Sequence, residues 1–375
     1  MDSKRRPQLN KPLDDNRNIR LYAALPGIAR RPESGHGPHG GSETSHSVLI
    51  LPSEIVSEIF IHTLPIHPHP PMRGKNCALV SLTQICRKWR EIALATPRLW
   101  RAILLSYNTG RPLKRQISNI KLWVERARSC PLSIFFSGGL NATHLLASIT
   151  PQRSRWERLD LDISPHDLAA IKGDMPLLRH LRLTLEDGFR RDEVSEGDRE
   201  TFSAAVAPLL RSVELNHHAA TRLLLPWAQI TSLKVTLEHV QECVTILGQA
   251  SESLVHCDLC IRRLDRRVDD SADYTGSVSI SLPRLESLVL SRHASCDRTP
   301  LLKLFDAPGL RRLEVSEAAL GLMALHFLTT FLLSRYERRL EEVSVCGILC
   351  PASKEVYRKA LSSCAENVLL PYGRL

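Results

Sequence analysis

Four groups of residues in this chain have types and spacings that could do chemistry. Cys257-Asp258-Leu259-Cys260 carries the two-residue gap of a thiolate metal or redox pair. His62, His67 and His69 stand among prolines with Cys77 beyond them, a donor set that zinc accepts. Gly74-Lys75 has the last glycine and lysine of a phosphate-cradling loop, and Asp160 with Asp162 is a carboxylate pair two residues apart. Each group falls short of a site. No second Cys-x-x-Cys supplies the remaining two ligands, no acid joins the histidines at ligand spacing, and Asn76 follows Lys75 where a hydroxyl is needed. Neither a nucleophile elbow nor His-Glu-x-x-His occurs. The expectation is a chain that is not an enzyme, with no catalytic residues, no metal and no cofactor.

The elements that would have to position these residues explain two of the groups differently. A pattern of one apolar residue, two others, an apolar residue, one other and a third apolar residue recurs at Trp156-Leu159-Leu161, Leu178-Leu181-Leu183, Leu210-Val213-Leu215 and Ile230-Leu233-Val235. It continues at Leu254-Cys257-Leu259, Leu285-Leu288-Leu290, Leu310-Leu313-Val315 and Leu340-Val343-Val345. The last two apolar positions of each copy share one strand face and point into a core. Cys257 is therefore an inward position and Cys260 an outward one, while Asp160 and Asp162 belong to a polar face. Starts 20 to 32 residues apart leave room for a helix or loop behind each strand. The eight copies resemble an irregular leucine-rich repeat, which implies a solenoid with a parallel sheet whose units must stack to close a core. Backing segments are expected at 165–171 behind Ser164, 237–247, 318–333 and 353–363, with charged surface insertions at 186–200 and 262–277. Leu132–Phe136 reads as the first strand, and His217-His218 as a turn.

Upstream, Leu51 to Ile103 holds two amphipathic helical patterns. Ile55 and Ile59 are four apart, as are Val56 and Phe60, and Leu79, Leu82, Cys86, Trp89 and Ala93 recur at steps of three and four. The order Leu51-Pro52-x-Glu54-Ile55, Ile59-Phe60, Leu79-Val80-x-Leu82, Cys86-Arg87-x-Trp89-Arg90, Ala93 and Pro97-x-Leu99-Trp100 resembles an F-box, with a longer loop between Leu64 and Ala78 than that family's pattern has. The combination with the repeats is similar to the expanded F-box families of mushroom-forming fungi. The resemblance implies the substrate-recognition subunit of a Skp-cullin-F-box ubiquitin ligase. Leu51, Pro52, Glu54, Ile55, Ile59, Phe60, Leu79, Val80, Leu82, Ile85, Cys86, Trp89, Leu99 and Trp100 then serve as contacts to a Skp-type adaptor, and through it a cullin, or as the module's own core.

The expected class is α/β: a disordered Pro/Gly/His/Arg-rich tail (1–46), an all-α helical module (47–104), a linker helix (105–130) and the repeat domain (131–375). Outward positions of the repeats, among them Arg158, Asp160, His180, Arg182, Glu214, Lys234, Asp258, Arg312 and Glu314, would meet a protein target. Fifty Lys plus Arg against 40 Asp plus Glu give a formal charge of +10, but the basic residues are dispersed and carry no nucleic-acid motif. A binding scaffold outside any ligase and a nucleic-acid binder are the alternative readings. Ten sparse cysteines and an N-terminus without an apolar signal core point to a cytoplasmic or nuclear protein, and the apolar run 318–333 is too short to span a membrane.

Overall fold

A computed structural model describes residues 51–65, 78–106, 112–137, 142–186, 200–201, 206–262, 279–292, 301–320, 324–335, 339–348 and 351–371. The tail expected to be disordered, His67, His69 and Cys77 of the long loop, and all but Glu186, Glu200 and Arg262 of the two charged insertions lie outside these residues. The chain opens with helices α1 (Ser53–Thr63), α2 (Ala78–Ile85) and α3 (Arg87–Ala95), a 3₁₀ turn over Pro97–Trp100 and strand β1 (Ala102–Ser106). Next come α4 (Leu113–Arg126), β2 (Leu132–Ser137), α5 (Ala142–Ile149), β3 (Trp156–Ile163), β4 (His180–Leu185) and β5 (Glu200–Thr201). They lead to β6 (Ser212–Leu215), α6 (His217–Arg222), β7 (Leu223–Leu224), β8 (Ser232–Leu237), α7 (Val240–Ala250) and β9 (His256–Ile261). The remainder is β10 (Ile280–Ser281), β11 (Ser287–Arg292), β12 (Phe305–Asp306), β13 (Arg312–Ser316), α8 (Glu317–Leu320), α9 (Ala324–Arg335), β14 (Leu340–Cys346), α10 (Pro351–Leu361) and β15 (Ala365–Leu369).

Among the described residues, eleven of these strands form one sheet in chain order, each parallel to the next. The pairs β5–β7 and β10–β12 make two short parallel ladders of their own. A parallel pair needs a crossover of about a dozen residues or more, which is what the spacing of the copies provides. Leu159, Leu181, Val213, Leu233, Cys257, Leu288, Leu313 and Val343 lie in one continuous register across eight neighbouring strands. Every apolar position of the eight copies is buried, none more than 5% exposed. The fold is thus mixed α/β, with a helical N-terminal region and a large parallel sheet.

Several expectations change. The sheet begins at Ala102, inside the span read as helical, so Leu132–Phe136 is the second strand; Ile103 and Leu105 are buried and no turn residue separates them from Trp100. The second helical pattern of the N-terminal module is two helices. Cys86 breaks it in an extended conformation (φ −152°, ψ 170°), and its Sγ accepts the Trp89 backbone N–H at 3.4 Å, capping α3. His217 and His218 open helix α6 instead of forming a turn, because the Asn216 side chain accepts the Ala219 N–H at 3.0 Å. The same side chain accepts Leu185 N–H and donates to Leu185 O, tying β4 to β6. The apolar run at 318–333 is divided between α8 and α9, and Leu333 is 67% exposed.

The helical region joins the sheet through Trp100. Its Nε1–H donates to Ala93 O at 2.9 Å, the Trp123 ring of α4 stands edge-on with centroids 5.0 Å apart, and the Arg126 guanidinium lies 4.4 Å from the Trp100 centroid. Ser133 N–H then donates to Arg101 O at 2.9 Å, starting the β1–β2 ladder. Trp100→Ala should lower unfolding stability by about 3–5 kcal/mol in chemical denaturation, with one cooperative transition if the two parts share a core.

Candidate functional site: the helical module and the charged sheet face

In the helical module burial divides the residues singled out from the sequence. Phe60, Leu79, Leu82, Leu99 and Trp100 are buried, and with Val56, Ile92 and Ala93 they form the module's core. Leu51 and Trp89 are partly buried against it, the Trp89 ring 5.0 Å from that of Phe60. Glu58 and Arg98 meet at 2.9 Å and clip α1 to the 3₁₀ turn.

The other residues face outward. Ile55 is 50% exposed, Ile59 45%, Val80 37% and Ile85 60%, with Pro52 and Glu54 exposed beside them. Pro52, Ile55 and Ile59 are spaced three and four apart, along one face of α1. Of the eleven large apolar side chains exposed among the described residues, five lie between Ile55 and Leu94. Single exposed leucines are ordinary, but such a concentration on three short helices sets this stretch apart from the rest of the described surface. Leu94 is the member that the sequence pattern missed, since it stands outside both stripes.

A family model for the F-box-like domain matches residues 48–106. This stretch is an F-box-like domain. Its matched span ends with β1, so the family unit includes the first strand of the sheet. F-box domains in general bind Skp-type adaptors. No curated protein matches the chain.

On the sheet, the outward positions form rows that cross the strands. The middle row reads Asp160, Arg182, Glu214, Lys234, Asp258, and its members are direct register partners. Arg182 lies 3.4 Å from Asp160 and 3.3 Å from Glu214; Lys234 lies 3.6 Å from Glu214 and 3.7 Å from Asp258. Five consecutive strands therefore carry an alternating ladder of charge. Burial disfavours charge on Arg182, but Asp160 and Glu214 outweigh it and raise its pKa. Burial raises Asp258 against the opposing pull of Lys234. Val289 ends the run, and Arg312 and Glu314 lie beyond it on the exposed side of β13. The neighbouring row holds Arg158 and His180, adjacent across β3 and β4; burial and then the Arg158 charge push the His180 pKa down. The target-facing residues expected from the sequence thus share one face, and five of them are already paired with each other.

The cysteine pair is separated by the strand. Cys257 is an inward position where burial pushes its thiol well above the usual range, and Cys260 sits half-buried on the other face. Burial likewise raises the Cys243 thiol to about 12. Among the described residues no group of three His, Cys, Asp or Glu side chains is placed to hold a metal, and no helix is long and apolar enough to cross a membrane.

One charged contact escaped sequence reasoning. His217 Nδ1 lies 3.4 Å from a Glu242 carboxylate oxygen, and Glu238 is 4.0 Å from Nε2. Glu242 raises the His217 pKa above 6.5 against burial; burial acts to raise Glu242, but His217 and two backbone N–H groups hold it below 4.5. A raised histidine stabilises below its unfolded pKa and loses that contribution as pH climbs through the folded value. A lowered carboxylate stabilises above its unfolded pKa and loses it as pH falls. The difference in melting temperature between the wild type and His217→Gln should be largest between pH 4.5 and 6.5 and shrink toward pH 8. For the ladder, Lys234→Glu places three like charges in register and should cost about 1 kcal/mol at low salt, less at 1 M salt, in denaturation at the two ionic strengths.

Proposed function

We propose that this chain is the target-recognition subunit of a Skp-cullin-F-box type ubiquitin ligase. The observation that carries the reading is the set of exposed apolar side chains on the short helices, Ile55 and Ile59 along one face of α1 and Val80 and Ile85 on α2, in a module whose own core is complete without them. A Skp-type adaptor covers that face and links the chain to a cullin. The parallel sheet is the repeat domain of an irregular leucine-rich-repeat solenoid, and its outward face holds a protein target. The chain does no bond chemistry itself. It raises the effective concentration of a target lysine near a ubiquitin-loaded enzyme carried elsewhere in the assembly. The charge pattern favours a protein target over nucleic acid: the ladder alternates in sign, so a polyanion would meet Asp160, Glu214 and Asp258 as well as their partners.

Capture of the full chain by a purified Skp-type adaptor tests the reading. Ile55→Asp with Ile59→Asp should cut capture more than about tenfold while stability changes by less than about 1 kcal/mol, because both side chains are exposed. Leu82→Ala should do the reverse, costing about 2–5 kcal/mol while capture at low temperature persists. Wild-type chain that is folded and uncaptured would leave the scaffold reading in its place.

A further inference from the structure

Behind the C-terminal strands, α9 and α10 lie side by side with a groove of about 580 Å³ between them. Ala324 and Ala360 leave it open, and Leu325 and Val356 wall it, Val356 being 56% exposed. At one point of this apolar lining stands the half-buried carboxylate of Glu317 from α8. Its hydrogen-bond partner is the Tyr357 hydroxyl, which donates to Oε1 at 3.1 Å. Burial, followed by the Glu317 charge and hydrogen bond, raises the Tyr357 pKa, so the phenol stays a donor across the physiological range.

Among the described residues Glu317 takes part in no ion pair. Two cations of α10 are engaged elsewhere: Lys354 Nζ donates to Leu370 O and Pro371 O at 3.2 and 3.3 Å, and Arg358 pairs with Glu355. His326 and Thr329 line the α9 side. A carboxylate without a cation, set in apolar walls, favours one kind of ligand: a positive head on an alkyl stem.

We propose that the α9–α10 groove takes a lysine or arginine side chain of a partner protein, its stem along Leu325 and Val356 and its cation on Glu317. This places a second contact surface on the helical backing layer, apart from the F-box-like face and from the outward rows of the strands. It does not rest on the ligase reading, and a chain that fails to bind the adaptor would still carry it.

Butylguanidinium, with neutral butylurea as its isosteric control, is the probe for a saturation-transfer NMR titration of the full chain. The expected result is saturable binding of butylguanidinium that is about fivefold weaker in Glu317→Gln, with butylurea weaker on the wild type and unchanged by the substitution. Glutamine still accepts the Tyr357 hydroxyl, so the local fold is kept, and circular dichroism checks it. Val356→Ser, an exposed wall position, should weaken both probes and serves as an independent variant. Equal binding of the two probes, or equal butylguanidinium binding by the wild type and Glu317→Gln, overturns the proposal.

Discussion

The parallel ladder between Ala102–Ser106 and Leu132–Ser137 is the contact on which the rest of the molecule depends. A strand in a parallel sheet leaves half its backbone groups unmatched unless a neighbour takes them, and a helical module as short as residues 51–100 buries too little apolar surface to be very stable alone. β1 meets both needs. It gives the sheet a first strand whose apolar side chains Ile103 and Leu105 enter the common core, and it leaves the F-box-like domain without a hinge before the sheet. Trp100 closes the corner with one hydrogen bond back to α3 and an aromatic contact forward to α4. The helical region and the strands are thereby held on one framework.

In-register parallel stacking also governs the charges. Equivalent positions of successive copies come to lie side by side, about 4.8 Å apart, so a row of like charges would repel along its whole length. The middle row avoids this by alternating sign from Asp160 to Asp258. Each of these contacts is solvent-exposed on at least one side and contributes little singly. Their collective effect is to keep every member of the row beside a charge of the opposite sign.

Much of this was legible in the residues, for physical reasons that differ from place to place. Paired inward positions two apart specify a strand face, and the copies at Leu159, Leu181, Val213 and their successors landed in one register because nothing else could bury them. The helix pattern from Leu79 to Ala93 was misleading, since periodicity sees side chains and not the backbone break at Cys86, which a sulfur cap stabilises. β1 was hidden because Ala102-Ile103-Leu104-Leu105 follows Trp100 with no turn residue to mark a change of element. The separation of contact from core could not be read from spacing at all. Ile55 and Val56 are equally apolar neighbours, and only the packing of α1 on α3 turns one outward at 50% exposed and the other inward at 2%. His217 met Glu242 only through the stacking of units, 25 residues along the chain, and Tyr357 met Glu317 in the same way across 40.

The most direct measurement is amide hydrogen exchange of the full chain with and without a Skp-type adaptor. The predicted result is new protection in α1 and α2 on binding, while the β1 amides that bond to β2 stay protected in both states because the strand belongs to the sheet. Protection that falls on the strands and spares α1 and α2, or a β1 that exchanges freely like a frayed linker, would contradict the account.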